Sequence, residues 1–235
     1  MFPGMELTLA VPCQALLILD ADLPQDRLSV VTEALAINPV PINQPLGSVE
    51  RLELHTFSDL YTELDKREWL RGRYIVLPNV SEDGTSTFLR SGMANKYKEM
   101  PCVGGYVDGL VTQFGAGNTR IIAGQDQNYG NKRLAVFQTS DNRARAHTDL
   151  GTATTWVKWA TPSAEALRQA CLAQETRLSH SSPTLPASHI SMISVSNSQL
   201  LGPFNLALNR QYNAVIGALR AFTRVVGRGC GRRRG

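Results

Sequence analysis

The sequence has few of the residues that build common catalytic and metal sites. Only four histidines occur among 235 residues, and no two have the His-x-His or His-x-x-x-His spacing of multi-metal hydrolases. The four cysteines are scattered without a C-x-x-C pair, which excludes the usual zinc and dithiol motifs. A Gly-x-Ser-x-Gly elbow is also missing, so nothing indicates the nucleophile of an α/β-hydrolase.

Long apolar runs are lacking as well. No stretch approaches the roughly 20 apolar residues that a membrane-spanning helix needs, and the opening residues MFPGMELTLAVPCQALLILDAD lack the basic segment of a signal peptide. The unpaired cysteines are typical of free thiols in a reducing compartment. We therefore expect a cytoplasmic protein that does not bind a membrane.

Positive charge is confined to the end of the chain. The formal net charge is +4, yet residues 218–235 hold six arginines and no acidic residue, and residues 1–217 carry 18 basic and 20 acidic residues. The body therefore has no nucleic-acid footprint. The basic tail would hold phosphate backbones non-specifically if it has a role of its own.

Short apolar strands alternate with amphipathic helices through most of the chain. This order predicts an α/β fold with a largely parallel sheet and a long surface loop at 107–131. We predict strands at 5–11, 15–19, 74–77, 102–106, 134–137 and 155–159, and helices at 24–38, 58–69, 89–100 and 163–176.

The pattern of predicted helices and strands changes after a segment rich in serine and proline. The run SHSSPTLPAS at 179–188 is the predicted domain boundary, and only strand patterns follow it. The compact strand from Tyr212 to Gly217 has the form that precedes a phosphate-binding loop, G-x-x-x-x-G-K-[ST]. No lysine occurs after Gly217, so the loop is not completed.

Candidate functional side chains follow the predicted strands, because sites in parallel α/β folds lie beyond the carboxyl ends of strands. They are Glu6, Asp20, Asn79, Asp108 and Asp141. Asp141 could bind a metal, orient a base or close a turn through its own backbone.

Three further features leave alternatives open. His147 follows Asp141 closely enough in sequence to approach it, while His180 is expected in solvent near the linker. The Gly104–Gly105 pair fits either phosphate binding or tight packing. Trp156 and Trp159 flank Lys158, and core packing is favoured over stacking on nucleic-acid bases.

Three segments together resemble the PHP (polymerase and histidinol phosphatase) domain, a family of metal-dependent phosphoesterases. They are FPGME at 2–6, TSDNR at 139–143, and DLG with TWVKWATPSAEALRQA at 149–170. The resemblance implies a partial PHP-like (β/α) barrel at 1–180 with its opening strand missing. It implies a metal site for Mn²⁺ or Mg²⁺ at Glu6 and Asp141, with Asp141 and Arg143 as the catalytic residues.

The chain departs from the family pattern at the imidazoles. The family's Ser-Asp-x-His turn reads Ser140-Asp141-Asn142-Arg143 here, and a guanidinium cannot ligate a metal. Two carboxylates without imidazoles suit weak Mg²⁺ binding better than a transition metal. If hydrolysis survives, Arg143 or Arg145 would hold phosphate oxygens.

Residues 189–217 resemble the first strands of an SMC/ABC-type P-loop ATPase head that is fused to such PHP modules. The resemblance implies nucleotide binding at Asn213 and Gly217 in an incomplete loop, with ATP a ligand of the parent family only. We expect the chain to be cut at both ends, with 181–188 as linker and 218–235 read out of frame. The alternative frame after codon 217 is then expected to encode a G-x-G-K-[ST] loop.

These features predict a fragment of a PHP/ATPase protein of DNA repair or defence, which reaches nucleic acid through its parent protein. Its phosphoesterase activity is expected to be weak or lost. The alternative is a non-catalytic regulatory module that binds a nucleotide or a protein partner.

Overall fold

The computed structural model describes two units of the chain. The first comprises residues 1–182 and the second residues 183–235, so the boundary falls inside the predicted linker. The described residues are 2–35, 51–82, 84, 86–141, 148–159, 161–183, 192–196 and 203–207. The assignment of the units to PHP and ATPase domains stays a prediction.

Seven strands and six α-helices make up the described part of the first unit. The strands are β1 (Gly4–Thr8), β2 (Gln14–Leu19), β3 (Tyr74–Pro78), β4 (Gly104–Asp108), β5 (Ala135–Thr139), β6 (Trp156–Val157) and β7 (Leu178–Ser179). The helices are α1 (Gln25–Ala34), α2 (Phe57–Asp65), α3 (Ala94–Glu99), α4 (Ala116–Ile122), α5 (Ala164–Leu172) and α6 (Gln174–Arg177). The predicted α/β class is confirmed.

The strands form a three-stranded sheet in the order β1-β2-β3 and a two-stranded sheet of β4 and β5, and only the second is parallel. Strands β1, β2 and β3 pair antiparallel, whereas β4 and β5 pair parallel. An isolated parallel bridge between Asn79 and Tyr106 joins β3 to β4. The predicted largely parallel sheet is therefore wrong for its first half, since the five residues between β1 and β2 are too few for a crossover. The described strands do not close a barrel.

Alternating side chains give the sheet two apolar faces. One face packs against α1, α2 and α3 in the larger core, which includes Leu17, Val76 and Val136 of the strands. The other face contributes Ile75 and Leu77 to a smaller core with Leu167 and Cys171 of α5. Helix α5 covers only part of the second face, which leaves room there for polar side chains.

The helix predictions needed three changes. Thr56 rather than Ser58 caps α2, because its side chain and that of Asp59 form a reciprocal capping box. The helix predicted at 89–100 begins only at Ala94. The segment 107–131, predicted as a loop, contains α4 and the short 3₁₀ turns Val111–Gln113 and Gln127–Tyr129. The many glycines of this segment favour a loop prediction, but most of them lie in the turns that flank these helical elements.

Side chains satisfy the free edge of β5. His180 Nε2 lies 2.8 Å from the Val136 carbonyl oxygen, and the Thr155 hydroxyl accepts from the Gln138 amide at 2.7 Å. His180 contacts the sheet through this nitrogen and is otherwise exposed, so its predicted exposure to solvent is confirmed. Unpaired edge groups invite pairing with other chains, and these contacts block that.

The structure shows the surroundings of the paired glycines and of the two tryptophans. A Cβ on Gly104 would lie 2.6 Å from Cys171 Sγ, and one on Gly105 would lie 2.9 Å from the Pro78 carbonyl oxygen. Tight packing, not phosphate binding, therefore explains both glycines. Trp159 packs on Phe2 with ring centroids 5.6 Å apart, whereas Trp156 is 49% exposed, so core packing is confirmed for only one of the two.

The second unit contains a hairpin of β8 (Met192–Val195) and β9 (Phe204–Ala207), paired antiparallel from Met192–Ala207 to Val195–Phe204. Strands were predicted in both places. The strand predicted at 212–217 and the tail lie outside the described residues. No helix in the described ranges is long and apolar enough to cross a membrane.

Candidate functional site

Polar side chains collect at the carboxyl ends of β3, β4 and β5. Asn79 directly follows β3, Asp108 ends β4 and Thr139 ends β5. The register pairs Asp108 with Thr139, and alternation places both on the face that α5 only partly covers. The parallel half of the sheet therefore brings these side chains together as the sequence predicted for Asn79 and Asp108.

Hydrogen bonds connect these side chains into one network. The Tyr106 hydroxyl donates to Glu6 Oε1 at 3.2 Å and accepts from Asn79 Nδ2 at 3.3 Å. Asn79 Nδ2 also donates to Asp108 Oδ2 at 3.4 Å. The Thr139 hydroxyl lies 3.1 Å from Asp108 Oδ1. The two carboxylates are thus joined through a phenol and an amide.

Asn79 is the centre of this network and is fully used. It is 5% exposed, and its Oδ1 accepts from the Ser81 backbone amide at 2.7 Å. Ser81 in turn accepts from the Asp108 amide at 3.1 Å. A buried side-chain amide has two N–H donors and one carbonyl acceptor to satisfy, and each of these finds a partner here.

Tyr106 acts as a permanent donor to Glu6. Burial, with the nearby charges of Glu6 and Asp108, raises the pKa of the Tyr106 phenol far above its ordinary value. The phenol therefore stays protonated at neutral pH.

Asp20, also singled out from the sequence, lies at the other end of the sheet. It accepts from Arg73 Nε at 3.1 Å and from the Ala164 amide at the start of α5 at 2.6 Å. Strand β2 runs antiparallel to β3, so its carboxyl end meets the amino end of β3. Asp20 therefore fastens α5 to the sheet and does not belong to the network.

The network contains one of the residues predicted to ligate metal. Glu6 is in it, whereas Asp141 is an exposed residue with a left-handed φ of 40° outside the bonds that join Glu6 to Asp108. That backbone conformation fits a turn role for an aspartate. A shared metal on Glu6 and Asp141 stays a prediction. Arg143, Arg145, His147, Asn213 and Gly217 lie outside the described residues.

Sequence reasoning missed Tyr106 and Thr139. Both stand at alternate positions of strands that end in a predicted polar residue, and this two-residue periodicity could have identified them. The sequence predicts only that Tyr106 ends the strand at 102–106. In the structure Tyr106 is buried, and its hydroxyl contacts Glu6 and Asn79.

The donor set does not fit a transition-metal centre. Within the described ranges, no group of three histidine, cysteine, aspartate or glutamate side chains could hold a metal ion. The network supplies only oxygen acceptors and an amide, and both carboxylates already accept hydrogen bonds. Of the two metals that the PHP resemblance implies, these oxygen ligands suit Mg²⁺ better than Mn²⁺.

No family model, curated protein or solved structure matches this chain.

Proposed function

We propose that the chain is a PHP-like module, from an ATPase-linked protein of nucleic-acid processing, whose phosphoesterase site no longer turns over substrate. The Phe2–Glu6 segment and the 139–170 segments support the family. The satisfied network supports the loss of turnover, and it is the observation on which this proposal rests.

The network is already complete without a ligand. Metal-dependent phosphoester hydrolysis needs open ligand positions for a cation and its activated water. Here Glu6 and Asp108 are both engaged with Tyr106, Asn79 or Thr139. Each such bond contributes about 1 kcal/mol, and together the bonds hold both carboxylates in one arrangement without a cation.

Charge favours the same conclusion. A phosphate anion approaching Glu6 and Asp108 meets two carboxylates and, in the described part of the network, no cation. Arg143 and Arg145 were predicted to hold phosphate oxygens, and they lie outside the described residues. A module that binds a partner through this face, without hydrolysis, is consistent with a polar surface fixed in one arrangement.

The second candidate is residual Mg²⁺-dependent hydrolysis. It is favoured by the two carboxylates on one face, because oxygen ligands are what Mg²⁺ prefers. Glu6 and Asp108 would be the ligands in that case, with Asp141 as the predicted third.

A phosphodiesterase assay separates these candidates. Bis-p-nitrophenyl phosphate would be incubated with the full chain and Mn²⁺ or Mg²⁺, alongside the variants Asp108→Asn and Asp141→Ala. Glu53→Gln is the matched control. Glu53 is exposed, and this substitution removes one negative charge at a position away from the network. We expect no metal-dependent turnover in any of the four proteins.

Metal-dependent turnover that Asp108→Asn or Asp141→Ala loses and Glu53→Gln keeps would overturn the proposal in favour of the second candidate. Isothermal titration adds a direct reading of binding. The inactive module is expected to give no Mn²⁺ binding heat that depends on Asp108. An Asp108-dependent heat would again favour the phosphoesterase.

A further inference from the structure

A cavity of about 320 Å³ lies at the amino ends of β4 and β5, the opposite end from the polar network. Its walls come from the residues that lead into each strand, from the end of α5 and from α6. Its lining is mixed, with the apolar residues Pro101, Cys102, Val103, Cys171 and Leu172 beside the polar or charged residues Lys132, Arg133, Gln174 and Glu175. The volume lies at the lower end of the range for small-molecule sites.

Three charged side chains line this cavity, and only two of them pair. Arg133 and Glu175 form an ion pair. Lys132 Nζ donates to the Met100 carbonyl oxygen, and the described residues include no carboxylate in ion-pair contact with it. Because Met100 immediately precedes Pro101, this hydrogen bond places the Lys132 amine at the cavity wall.

The surroundings shift the protonation equilibrium of this amine toward its neutral form. Burial lowers the pKa of Lys132 below its ordinary value. The nearby Cys102 thiol does not supply a compensating anion at neutral pH, because burial raises its pKa to about 12. Lysines desolvated in apolar pockets are nucleophiles toward carbonyl groups, since only the neutral amine carries a free electron pair.

We propose that the cavity binds small carbonyl compounds with an apolar body and that Lys132 forms an imine with them. The Nζ electron pair attacks the carbonyl carbon to give a carbinolamine, which loses water as the C=N bond forms. The carbonyl oxygen leaves in that water with two protons from the amine. No oxidant or reductant takes part, and hydrolysis reverses the step.

A purely structural role for Lys132 makes a different prediction. In that case the amine only ties the segment before β5 to Met100, and the hydrogen bond protects it. Lys132 would then react more slowly than an exposed lysine, not faster. The direction of the difference decides between the two roles.

Reductive trapping on the intact chain measures this direction. Benzaldehyde with cyanoborohydride at pH 7 converts each imine to a stable benzyl amine, which peptide mass spectrometry assigns to one of the five lysines at 66, 96, 98, 132 and 158. Lys96 is exposed and is the internal reference. We expect Lys132 to react about tenfold faster, through its larger neutral fraction and the buried aromatic ring.

Two variants test whether the cavity causes the selectivity. Leu172 lines the cavity and is 56% exposed, while Leu150 is 73% exposed and is not a lining residue. Leu172→Gln should reduce the preference of benzaldehyde for Lys132 by about threefold, and Leu150→Gln should leave it unchanged. Formaldehyde, which lacks an apolar body, should show a smaller preference and no response to Leu172→Gln.

The proposal is overturned if Lys132 reacts no faster than Lys96 with benzaldehyde. Equal effects of Leu172→Gln and Leu150→Gln would overturn the role of the cavity. Trapping in urea should equalise the lysines, which ties the selectivity to the fold.

Discussion

The two ends of strands β4 and β5 differ in how completely their side chains are satisfied. At the carboxyl end, Tyr106 and Asp108 belong to a network in which the central Asn79 uses every polar atom. At the amino end, Lys132 borders a cavity with a carbonyl oxygen as its described partner. The comparison teaches that the densest polar cluster need not be the place where a ligand can enter.

The difference follows from what covers each end. Hydrogen bonds between side chains fill the carboxyl end, whereas the amino end depends on α5 and α6 packing against the strand entries. A helix break at Ala173 separates α5 from α6. The cavity beside it has both apolar and charged walls and one half-buried amine, that of Lys132.

The largest expected effect is on the alkylation rates of the two thiols at the amino end, those of Cys102 and Cys171. Burial raises the pKa of Cys102 and of Cys171 to about 12, so both thiols stay neutral at pH 8. Since thiolates are the reactive form, we expect iodoacetamide to alkylate each about a thousandfold more slowly at pH 8 in the folded chain than in urea. Peptide mass spectrometry over time measures the rates.

Cys13 is the internal control for this experiment. It lies in the larger core with no exposed surface, away from the cavity, and burial raises its pKa even further. Cys13 should therefore be the slowest of the three. Rapid alkylation of Cys102 or Cys171 at pH 8 would contradict the burial of these two thiols in the cavity wall.

The second prediction concerns a substitution in β4, the strand that connects the two ends. Gly105→Ala places a methyl group 2.9 Å from the Pro78 carbonyl oxygen and 3.0 Å from Leu134, so the backbone of β3 or β4 must shift. We expect a loss of about 1–3 kcal/mol in the free energy of unfolding, measured in urea. Both ends of the strand should loosen, with faster alkylation of Cys102.

Gly117→Ala is the matched control, because a Cβ there meets nothing within 4 Å. Gly117 lies in the first turn of α4, where alanine is favoured over glycine by at most about 1 kcal/mol. The two identical substitutions should therefore change stability in opposite directions. Equal effects would mean that the close approach of β3 and β4 at Gly105 is not tight.

Much of the fold could be predicted from sequence, because strand and helix periodicities are local. Strands at 15–19 and 74–77 and the helix from Ser163 agree with β2, β3 and α5 within a few residues. Sheet direction could not be predicted, since pairing depends on contacts between distant segments. The antiparallel pairing of β1, β2 and β3 was therefore not predicted. The position of Asp20, at the opposite end of the strands from the network, was not predicted for the same reason.

The candidate site was predicted in part for the same reason. The rule of strand ends identified Asn79 and Asp108, which lie in the parallel half of the sheet. Tyr106 and Lys132 were missed because their roles depend on distant partners: Tyr106 reaches Glu6 from 100 residues away in sequence, and the Lys132 cavity needs the end of α5. No local pattern encodes either contact.

The smallest expected effect concerns how much the network at the carboxyl end contributes to the free energy of unfolding. Tyr106→Phe removes the hydroxyl that bridges Glu6 and Asn79, and leaves one buried Asn79 N–H without its acceptor. We expect a loss of about 1 kcal/mol in the free energy of unfolding, because water can replace the bond at exposed Glu6 but reaches Asn79 poorly. Urea unfolding measures the loss.

Tyr129→Phe is the control that isolates the hydroxyl. Tyr129 packs edge-on against Tyr97 with ring centroids 5.3 Å apart, a contact that phenylalanine keeps, and its hydroxyl forms no hydrogen bond within the described residues. Its expected change is close to zero. If both substitutions cost the same, the network contributes nothing beyond ring packing, and the carboxylates would be free to take a cation. That result would weaken the argument for an inactive site as well as the contrast between the two ends.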